Sequence, residues 1–270
     1  MPEIAEVRVV ASTLKKQIIN KKIKKINILY NKIIENDIEE FKEKLTGKTF
    51  KDVKTFGKWI IFELGEYSLL SHLRMEGKYY YEPSDSEIKK HTHIIFSLDN
   101  NMDLRYNDTR KFGRMLLVKT NKVFNTPCIS KLGLEPDDKR LNEKYLLDKF
   151  SKINKPIKDV LLDQTIINGL GNIYANEVLF EAKINPLKEA SKLSKKDSLN
   201  IINSASNMIK KSYEMGGCTI RSYTSSLGVI GHFQDCLKVH MQDKCKICDT
   251  PINKIKINGR STYYCPRCQK

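Results

Sequence analysis

Cys245-Lys-Ile-Cys248 and, 16 residues further on, Cys265-Pro-Arg-Cys268 define the last segment of the chain. Two Cys-x2-Cys pairs at this spacing can present four thiolates tetrahedrally to one Zn²⁺. Two disulfides are the alternative, but they belong to oxidising compartments, and no signal peptide opens the sequence. We therefore expect one structural zinc ion, because four cysteine ligands leave no coordination position for a reactive water.

The residues between the two cysteine pairs predict a β-hairpin. The runs 253–257 and 261–264 are rich in strand-forming residues, and Asn258-Gly259 between them is typical of a two-residue hairpin turn. Arg260 then lies at the tip. The end of the chain is predicted to be a zinc-bound hairpin that presents an arginine.

The chain is strongly basic, with 48 Lys+Arg against 32 Asp+Glu and a formal net charge of +16. Such a charge favours a nucleic-acid partner, because side chains that neutralise phosphates release bound counterions. Lysine runs are also common on solvated faces, so the charge alone leaves both readings open.

The sequence contains no run of about 18 apolar residues, which is the length that predicts a membrane-spanning helix. The scattered Cys128, Cys218 and Cys236 fit a reducing cytoplasm.

A change of periodicity divides the 270 residues into two parts. Apolar residues at helical spacing open the chain: Ile4, Val7, Val10, Leu14 and Ile18. Short β-rich segments then continue to about residue 119, which is typical of a sandwich or barrel. They include 24–30, 59–64, 68–73, 78–82, 93–98 and 114–119. Prolines interrupt the pattern in 125–138, and four helical segments follow: 141–152, 156–163, 172–183 and 193–214. The sequence predicts an α+β protein of two domains.

A glycine-rich turn opens one of these helices at Asn168-Gly169-Leu170-Gly171-Asn172. Glycines let a backbone approach a ligand closely, and the N–H groups at a helix start suit a phosphate oxygen. The same pattern also occurs as a plain interhelical turn. Phosphate binding is therefore one of two readings of this segment.

The first residues have unusual chemistry. If Met1 is removed, which a small second residue permits, Pro2 presents a secondary amine beside the carboxyl group of Glu3. An α-amine titrates near pH 8, so part of it is a neutral nucleophile that could attack a sugar C1′. Glu3 could then donate or accept a proton. The alternative is a proline and acidic residues at an ordinary helix start.

Four motifs in order resemble the formamidopyrimidine-DNA glycosylase family along the whole chain. They are Pro2-Glu-Ile-Ala-Glu-Val7, Asp108-Thr-Arg-Lys-Phe-Gly113, Asn168-Gly-Leu-Gly-Asn-Ile-Tyr-Ala-Asn-Glu177, and the four cysteines with Gly259-Arg260. The resemblance implies an N-terminal helix with a β-sandwich and a helical helix-two-turn-helix domain with a four-cysteine zinc finger. The expected parts are 1–124 (catalytic sandwich), 125–138 (linker), 139–218 (helix-two-turn-helix), 219–235 (lesion-covering loop) and 236–270 (zinc finger).

The resemblance also implies a set of catalytic residues. Pro2 matches the family's Schiff-base nucleophile, and Glu3 matches its acid/base partner. Lys58 matches the lysine that assists elimination at the abasic sugar, although a solvated lysine is its simpler reading. Arg260 matches the arginine that grips a phosphate during the last elimination.

Three residues match the family's triad that fills the gap left by an extruded base. They are Met75, Arg110 and Phe112. Apolar wedges in the stack kink a duplex, and a guanidinium can donate to the acceptor edge of an orphaned cytosine. For Met75 and Phe112 the alternative is packing in the core.

The resemblance also implies residues that contact the DNA or the lesion. His91, Lys158 and Asn172 fall where the family contacts phosphates. Arg221 and Tyr223 lie in the stretch that matches the family's lesion-covering loop.

The resemblance implies base-excision repair of duplex DNA that contains oxidised bases or abasic sites, performed by a cytoplasmic monomer. The expected activity is excision of 8-oxoguanine opposite cytosine and of formamidopyrimidines, followed by β,δ-elimination. One alternative is an endonuclease VIII-like glycosylase for oxidised pyrimidines. The other is a non-catalytic, zinc-dependent DNA-binding protein.

Overall fold

The computed structural model describes residues 1–218 and 231–270. The described chain forms two compact units, one of residues 1–130 with 216–218 and 231, the other of residues 131–215 with 232–270. The division after residue 130 falls inside the segment that the sequence predicts as a linker. None of the described helices is long and apolar enough to cross a membrane.

Within the described residues, the first unit contains three α-helices and two antiparallel sheets. The helices are α1 (Ile4–Ile18), α2 (Ile38–Leu45) and α3 (Pro127–Ser130). The strands are β1 (Ile23–Ile28), β2 (Asp52–Phe56), β3 (Trp59–Glu63), β4 (Tyr67–His72), β5 (Lys78–Pro83), β6 (Thr92–Leu98), β7 (Met102–Asn107) and β8 (Arg114–Lys119). Their orders in the two sheets are β1-β6-β7-β5 and β2-β3-β4-β8.

One apolar core joins the two sheets and α1, which confirms the predicted sandwich. The buried stripe of α1 contributes Val7, Val10, Leu14 and Ile18, and these pack with apolar residues of both sheets. Side chains at such spacing lie on one helix face, so a single helix can seal one side of the core.

The sequence patterns missed α2, β2 and β7. Strand β7 is the instructive case, because Asp103 and Arg105 interrupt its apolar pattern although both are buried. A hydrogen-bonded ion pair joins their side chains at 3.0 Å, and the Arg105 guanidinium also donates to carbonyl groups of residues 83–87. Internal pairing is what lets charged residues occupy a buried strand, and hydropathy alone does not reveal it.

The second unit contains the predicted helices and hairpin. The helices are α4 (Glu143–Phe150), α5 (Ile157–Leu161), α6 (Asn172–Glu181) and α7 (Lys195–Glu214), and the strands are β9 (Asn253–Ile257) and β10 (Arg260–Tyr264). Asn258 and Gly259 connect the strands with φ of 45° and 75°, as in a type I′ turn. The hairpin prediction is confirmed.

The carboxylate of Glu177 fastens the segment before the cysteines to α6. Its Oε2 accepts the N–H of Lys238 at 2.7 Å, and its Oε1 accepts those of Val239 at 3.0 Å and His240 at 2.7 Å. Burial raises the pKa of Glu177, and the three N–H donors act against that rise. The chain therefore enters the zinc finger from a fixed point.

We predict that Glu177→Gln weakens this attachment, because an amide NH₂ would face main-chain N–H groups that lose their acceptor. The expected cost is on the order of 2 kcal/mol, measured by urea unfolding and by faster amide hydrogen exchange at 238–240. Glu181→Gln is the matched control. Glu181 lies on the same helix as Glu177 and forms an ion pair with Lys238, but its side chain is partly exposed. Equal effects of the two variants would contradict the role of Glu177.

Candidate active site and nucleic-acid surface

The first turn of α1 is held by the buried carboxylate of Glu6. Its Oε2 accepts the N–H of Glu3 at 2.8 Å, and its Oε1 accepts the N–H of Cys218 at 2.8 Å. Pro2 is buried, and Glu3 is 3 % exposed. The start of the chain is thus fixed on one side to its own helix and on the other to residue 218.

An amine at this end of the chain lies among charged groups. Burial is the largest cause that lowers the pKa of the Met1 α-amine. The carboxylates of Glu3, Glu6 and Glu76 oppose this, while Lys58 lowers the pKa further. A lowered pKa increases the neutral, nucleophilic fraction of an amine near pH 7. The surroundings therefore suit an amine that attacks an electrophilic carbon.

Lys58 lies in a hairpin turn but is buried. Phe56 pairs with Trp59, so Gly57 and Lys58 form the two-residue loop between β2 and β3. Gly57 has a φ of 57°, which fits the first position of a type II′ turn. Lys58 is only 6 % exposed, which excludes the simpler reading of a solvated lysine. Its positive charge helps to lower the pKa of the Met1 α-amine.

The carboxylate of Asp108 shapes the loop that presents Arg110 and Phe112. Asp108 is fully buried, and its two oxygens accept the N–H groups of Arg110 at 3.0 Å, Phe112 at 2.8 Å and Gly113 at 2.8 Å. The Arg110 guanidinium stacks on the Phe112 ring with 4.6 Å to its centroid. Phe112 is 51 % exposed, so it is not a core aromatic.

Met75 lies in a turn next to this loop. Both turns pack on Tyr106, because a Cβ built on Gly77 would lie 2.3 Å from the Tyr106 hydroxyl, and one built on Gly113 would lie 1.7 Å from it. Only glycine permits such an approach. Met75 is 39 % exposed, which excludes full core packing. The three residues of the predicted triad therefore share one region of the first unit.

His91 adjoins the same loop. It has a φ of 68°, and its carbonyl oxygen accepts the N–H of Asp108 at 3.0 Å. Its side chain is partly exposed. The backbone around His91 thus helps to place the Asp108 loop, and the imidazole remains accessible.

In the second unit, the glycine-rich turn is held from inside. Gly169 has a φ of 96°, and the side-chain amide of Gln164 bonds to both Gly169 and Leu170. Asn172 begins α6 and donates from Nδ2 to the carbonyl of Ser261 at 3.0 Å. The turn is therefore joined to the hairpin, and Asn172 at the helix start is partly exposed.

Lys158 occupies a different place from the one expected of a phosphate contact. It is fully buried, and its Nζ donates to the carbonyl of Asn172 at 2.9 Å and to Oδ1 of Asn176 at 2.6 Å. The ammonium group therefore lies behind the glycine-rich turn.

Arg260 is exposed at the start of β10, directly after the hairpin turn. It lines a cavity of about 390 Å³ together with Asn258, Lys155 and Asp159. A guanidinium in this position is available to an anionic ligand.

The four terminal cysteines form one cluster. The Sγ of Cys248 lies 3.5 Å from those of Cys265 and Cys268, and the Sγ atoms of Cys245 and Cys268 are 3.9 Å apart. A tetrahedral Zn²⁺ with Zn–S bonds near 2.3 Å requires S···S distances of about 3.8 Å, whereas a disulfide requires about 2.05 Å. The four sulfurs fit one structural zinc ion and exclude the two-disulfide alternative.

Comparison with known families finds three matches along the chain. Residues 1–115 match the formamidopyrimidine-DNA glycosylase N-terminal domain, residues 132–224 match the H2TH domain of the same enzyme, and residues 242–270 match the zinc finger found in FPG and IleRS.

The chain belongs to the formamidopyrimidine-DNA glycosylase family.

Its relatives in this family are similar over their whole length. The formamidopyrimidine-DNA glycosylase of Ligilactobacillus salivarius is 45 % identical, with 100 % of this chain and 99 % of the relative covered. That of Oceanobacillus iheyensis is 43 % identical, with 100 % and 98 % covered. A solved complex between the Lactococcus lactis Fpg and DNA containing an abasic site is 39 % identical, covers 99 % of each chain and has a TM-score of 0.94.

The sequence motifs of the family do not reveal every functional position. Glu6 and Asp108 lie inside two of the motifs and accept main-chain N–H groups. The spacing of Glu3 and Glu6 as a capping box could have indicated the bond between them, whereas no local pattern indicates the bond of Glu6 to residue 218. Arg221 and Tyr223 lie outside the described residues, so their assignment to the lesion-covering loop stays a prediction.

For this glycosylase we predict that Cys265→Ser removes most of the zinc, because the loss of one thiolate opens a closed tetrahedral site. Elemental analysis of the purified protein should fall from about one zinc per chain to a small fraction of that value. Cys128→Ser is the matched control, because Cys128 lies outside the cluster. Full zinc occupancy in the Cys265 variant would refute the four-thiolate site.

Proposed function

We propose that the protein is a bifunctional DNA glycosylase and abasic-site lyase that removes oxidised purines through a covalent intermediate on Pro2. The observation that carries this proposal is the environment of the chain's first residues. Burial first, and then the charge of Lys58, lower the pKa of the Met1 amine there, and the carboxylates of the buried Glu3 and Glu6 act in the opposite direction. Removal of Met1 would give this place to the secondary amine of Pro2.

The proposed reaction follows from that arrangement. The nitrogen of Pro2 attacks C1′ of an extruded nucleotide, the glycosidic bond breaks, and the base leaves with a proton supplied from Glu3. The Pro2 nitrogen then loses its proton, O4′ takes up a proton as the C1′–O4′ bond breaks, and an open-chain iminium remains. The resulting iminium acidifies C2′, whose proton is removed so that the C3′–O bond breaks. A second elimination breaks the C5′–O bond and leaves a one-nucleotide gap between phosphate ends. Lys58 and Arg260 are proposed to assist these eliminations.

The exposed groups of both units support damaged duplex DNA as the substrate. Met75, Arg110 and Phe112 offer one apolar, one cationic and one planar side chain for the space left by an extruded base. The glycine-rich turn with Asn172 and the partly exposed His91 are proposed to bind phosphates. Solved Lactococcus lactis relatives hold DNA with an abasic site or with N7-benzyl-Fapy-dG.

The covalent step is tested by borohydride trapping on DNA with an abasic site. The wild-type protein, shown by intact mass to lack Met1, should form a protein–DNA adduct. Pro2→Gln should reduce the adduct at least 100-fold, because it removes the secondary amine and a large second residue retains Met1. Its binding to DNA with a tetrahydrofuran site, which cannot form the iminium, is the control for folding. Undiminished trapping with Met1 retained would defeat Pro2 as the nucleophile, whereas no adduct with the wild-type protein would leave only a DNA-binding function.

The choice of lesion is tested by single-turnover excision rates. We expect 8-oxoguanine opposite cytosine to be excised at least about tenfold faster than thymine glycol, a difference of about 1.4 kcal/mol in activation free energy. Arg110→Ala should reduce the preference for cytosine as the opposite base, since its guanidinium is proposed to donate to that base. Faster excision of thymine glycol would favour the endonuclease VIII-like alternative.

A further inference from the structure

A chain of buried polar side chains lies between the glycine-rich turn and the zinc-finger hairpin. We propose that Lys158, Asn176 and His240 form a positioning relay, and that Lys158 acts on DNA through the turn and not by contact with a phosphate. The relay holds the turn in register with the hairpin that carries Arg260. This inference rests on the proposed function only in that the turn binds DNA phosphates.

The donors and acceptors of the relay determine one another. The Lys158 ammonium can only donate, so Asn176 must direct Oδ1 toward it, at 2.6 Å. The Nδ2 of Asn176 then faces Nδ1 of His240 at 2.7 Å and donates to it. His240 must therefore accept at Nδ1 and carry its proton on Nε2. Each member has one orientation that satisfies its neighbour.

The surroundings of His240 are consistent with this orientation. Its side chain is buried, and its pKa is lowered to about 4, by burial first and by the charge of Lys158 second. The imidazole is neutral at physiological pH and can accept the bond from Asn176. Its backbone N–H is held by Glu177, so the ring cannot withdraw from the relay without displacing the segment before the cysteines.

Both ends of the relay reach the elements that it connects. At one end, Lys158 donates to the main-chain carbonyl of Asn172 at 2.9 Å. At the other, the His240 ring meets the Tyr263 ring of β10 edge-on, with 5.0 Å between centroids. Asn172 also donates to Ser261, the neighbour of Arg260. The turn is thus held from the helical side by Lys158 and from the hairpin side by Ser261.

This geometry separates a positioning lysine from a contacting one. A lysine that neutralises a phosphate contributes about 0.9 to the slope of log K against log salt. A lysine that only orients Asn172 affects affinity through the contact between the uncharged Asn172 and the phosphate. Its loss should therefore leave the slope of log K against log salt nearly unchanged. Residues of one hydrogen-bond network should also show non-additive effects.

The test measures the affinity of the zinc-loaded full chain for tetrahydrofuran-site DNA at several salt concentrations. Lys158→Met and His240→Ala should each weaken binding about tenfold, and the double variant only slightly more than the worse single one. The salt slope should change by less than about 0.3 in all three. His240→Gln should recover part of the loss, since its amide oxygen can accept from Asn176.

Lys155→Met is the matched control, because Lys155 lies in the same segment but is exposed. The losses of binding free energy caused by Lys155→Met and His240→Ala should be fully additive when the two substitutions are combined. Zinc content and circular dichroism are measured for every variant to identify any that fail to fold. If His240→Ala fails to fold, the affinity of His240→Gln is used in its place. A slope that falls by about 0.9 with Lys158→Met, additive losses in the double variant, or no effect of His240→Ala would overturn the relay. Failure of the wild-type protein to bind this DNA would instead count against the proposed function.

Discussion

Buried carboxylates that accept main-chain N–H groups hold the functional segments of this glycosylase. Glu6 joins the first turn of α1 to residue 218, Asp108 shapes the loop of Arg110 and Phe112, and Glu177 fixes the segment before the zinc ligands. Hydrogen bonds from neutral donors to an ionised acceptor are among the stronger ones in proteins. Each also satisfies N–H groups that would otherwise be buried at a cost.

This arrangement leaves other residues free to face a ligand. Because the loop of Asp108 is held by its own carboxylate, Phe112 can remain half exposed with only the Arg110 guanidinium described as stacking on its ring. The glycine-rich turn is likewise held by internal hydrogen bonds, because Gly169 donates to Gln164 and Lys158 donates to the carbonyl of Asn172. Internal hydrogen bonds thus hold these segments in place before a ligand binds, which lowers the entropic cost of binding.

Much of the fold could be predicted from the sequence because its signals are local. The apolar spacing in α1, the Asn-Gly turn between β9 and β10, and the spacing of the four cysteines each depend on residues close together in the chain. Strand β7 was missed for the opposite reason. Its Asp103 and Arg105 read as polar, and only their mutual pairing and the carbonyls of 83–87 explain their burial.

By itself, the sequence determined α1, the helices of the second unit, the sandwich, the zinc ligands and the family to which the motifs belong. The tertiary structure alone decided that Lys158 lies behind the turn, that Lys58 is buried in a hairpin loop, and that Met75 and Phe112 are exposed. It alone brought Glu6 to Cys218, 212 residues away. The physical reason is that burial and hydrogen-bond partners depend on segments distant in the chain, whereas periodicity and ligand spacing are properties of neighbours.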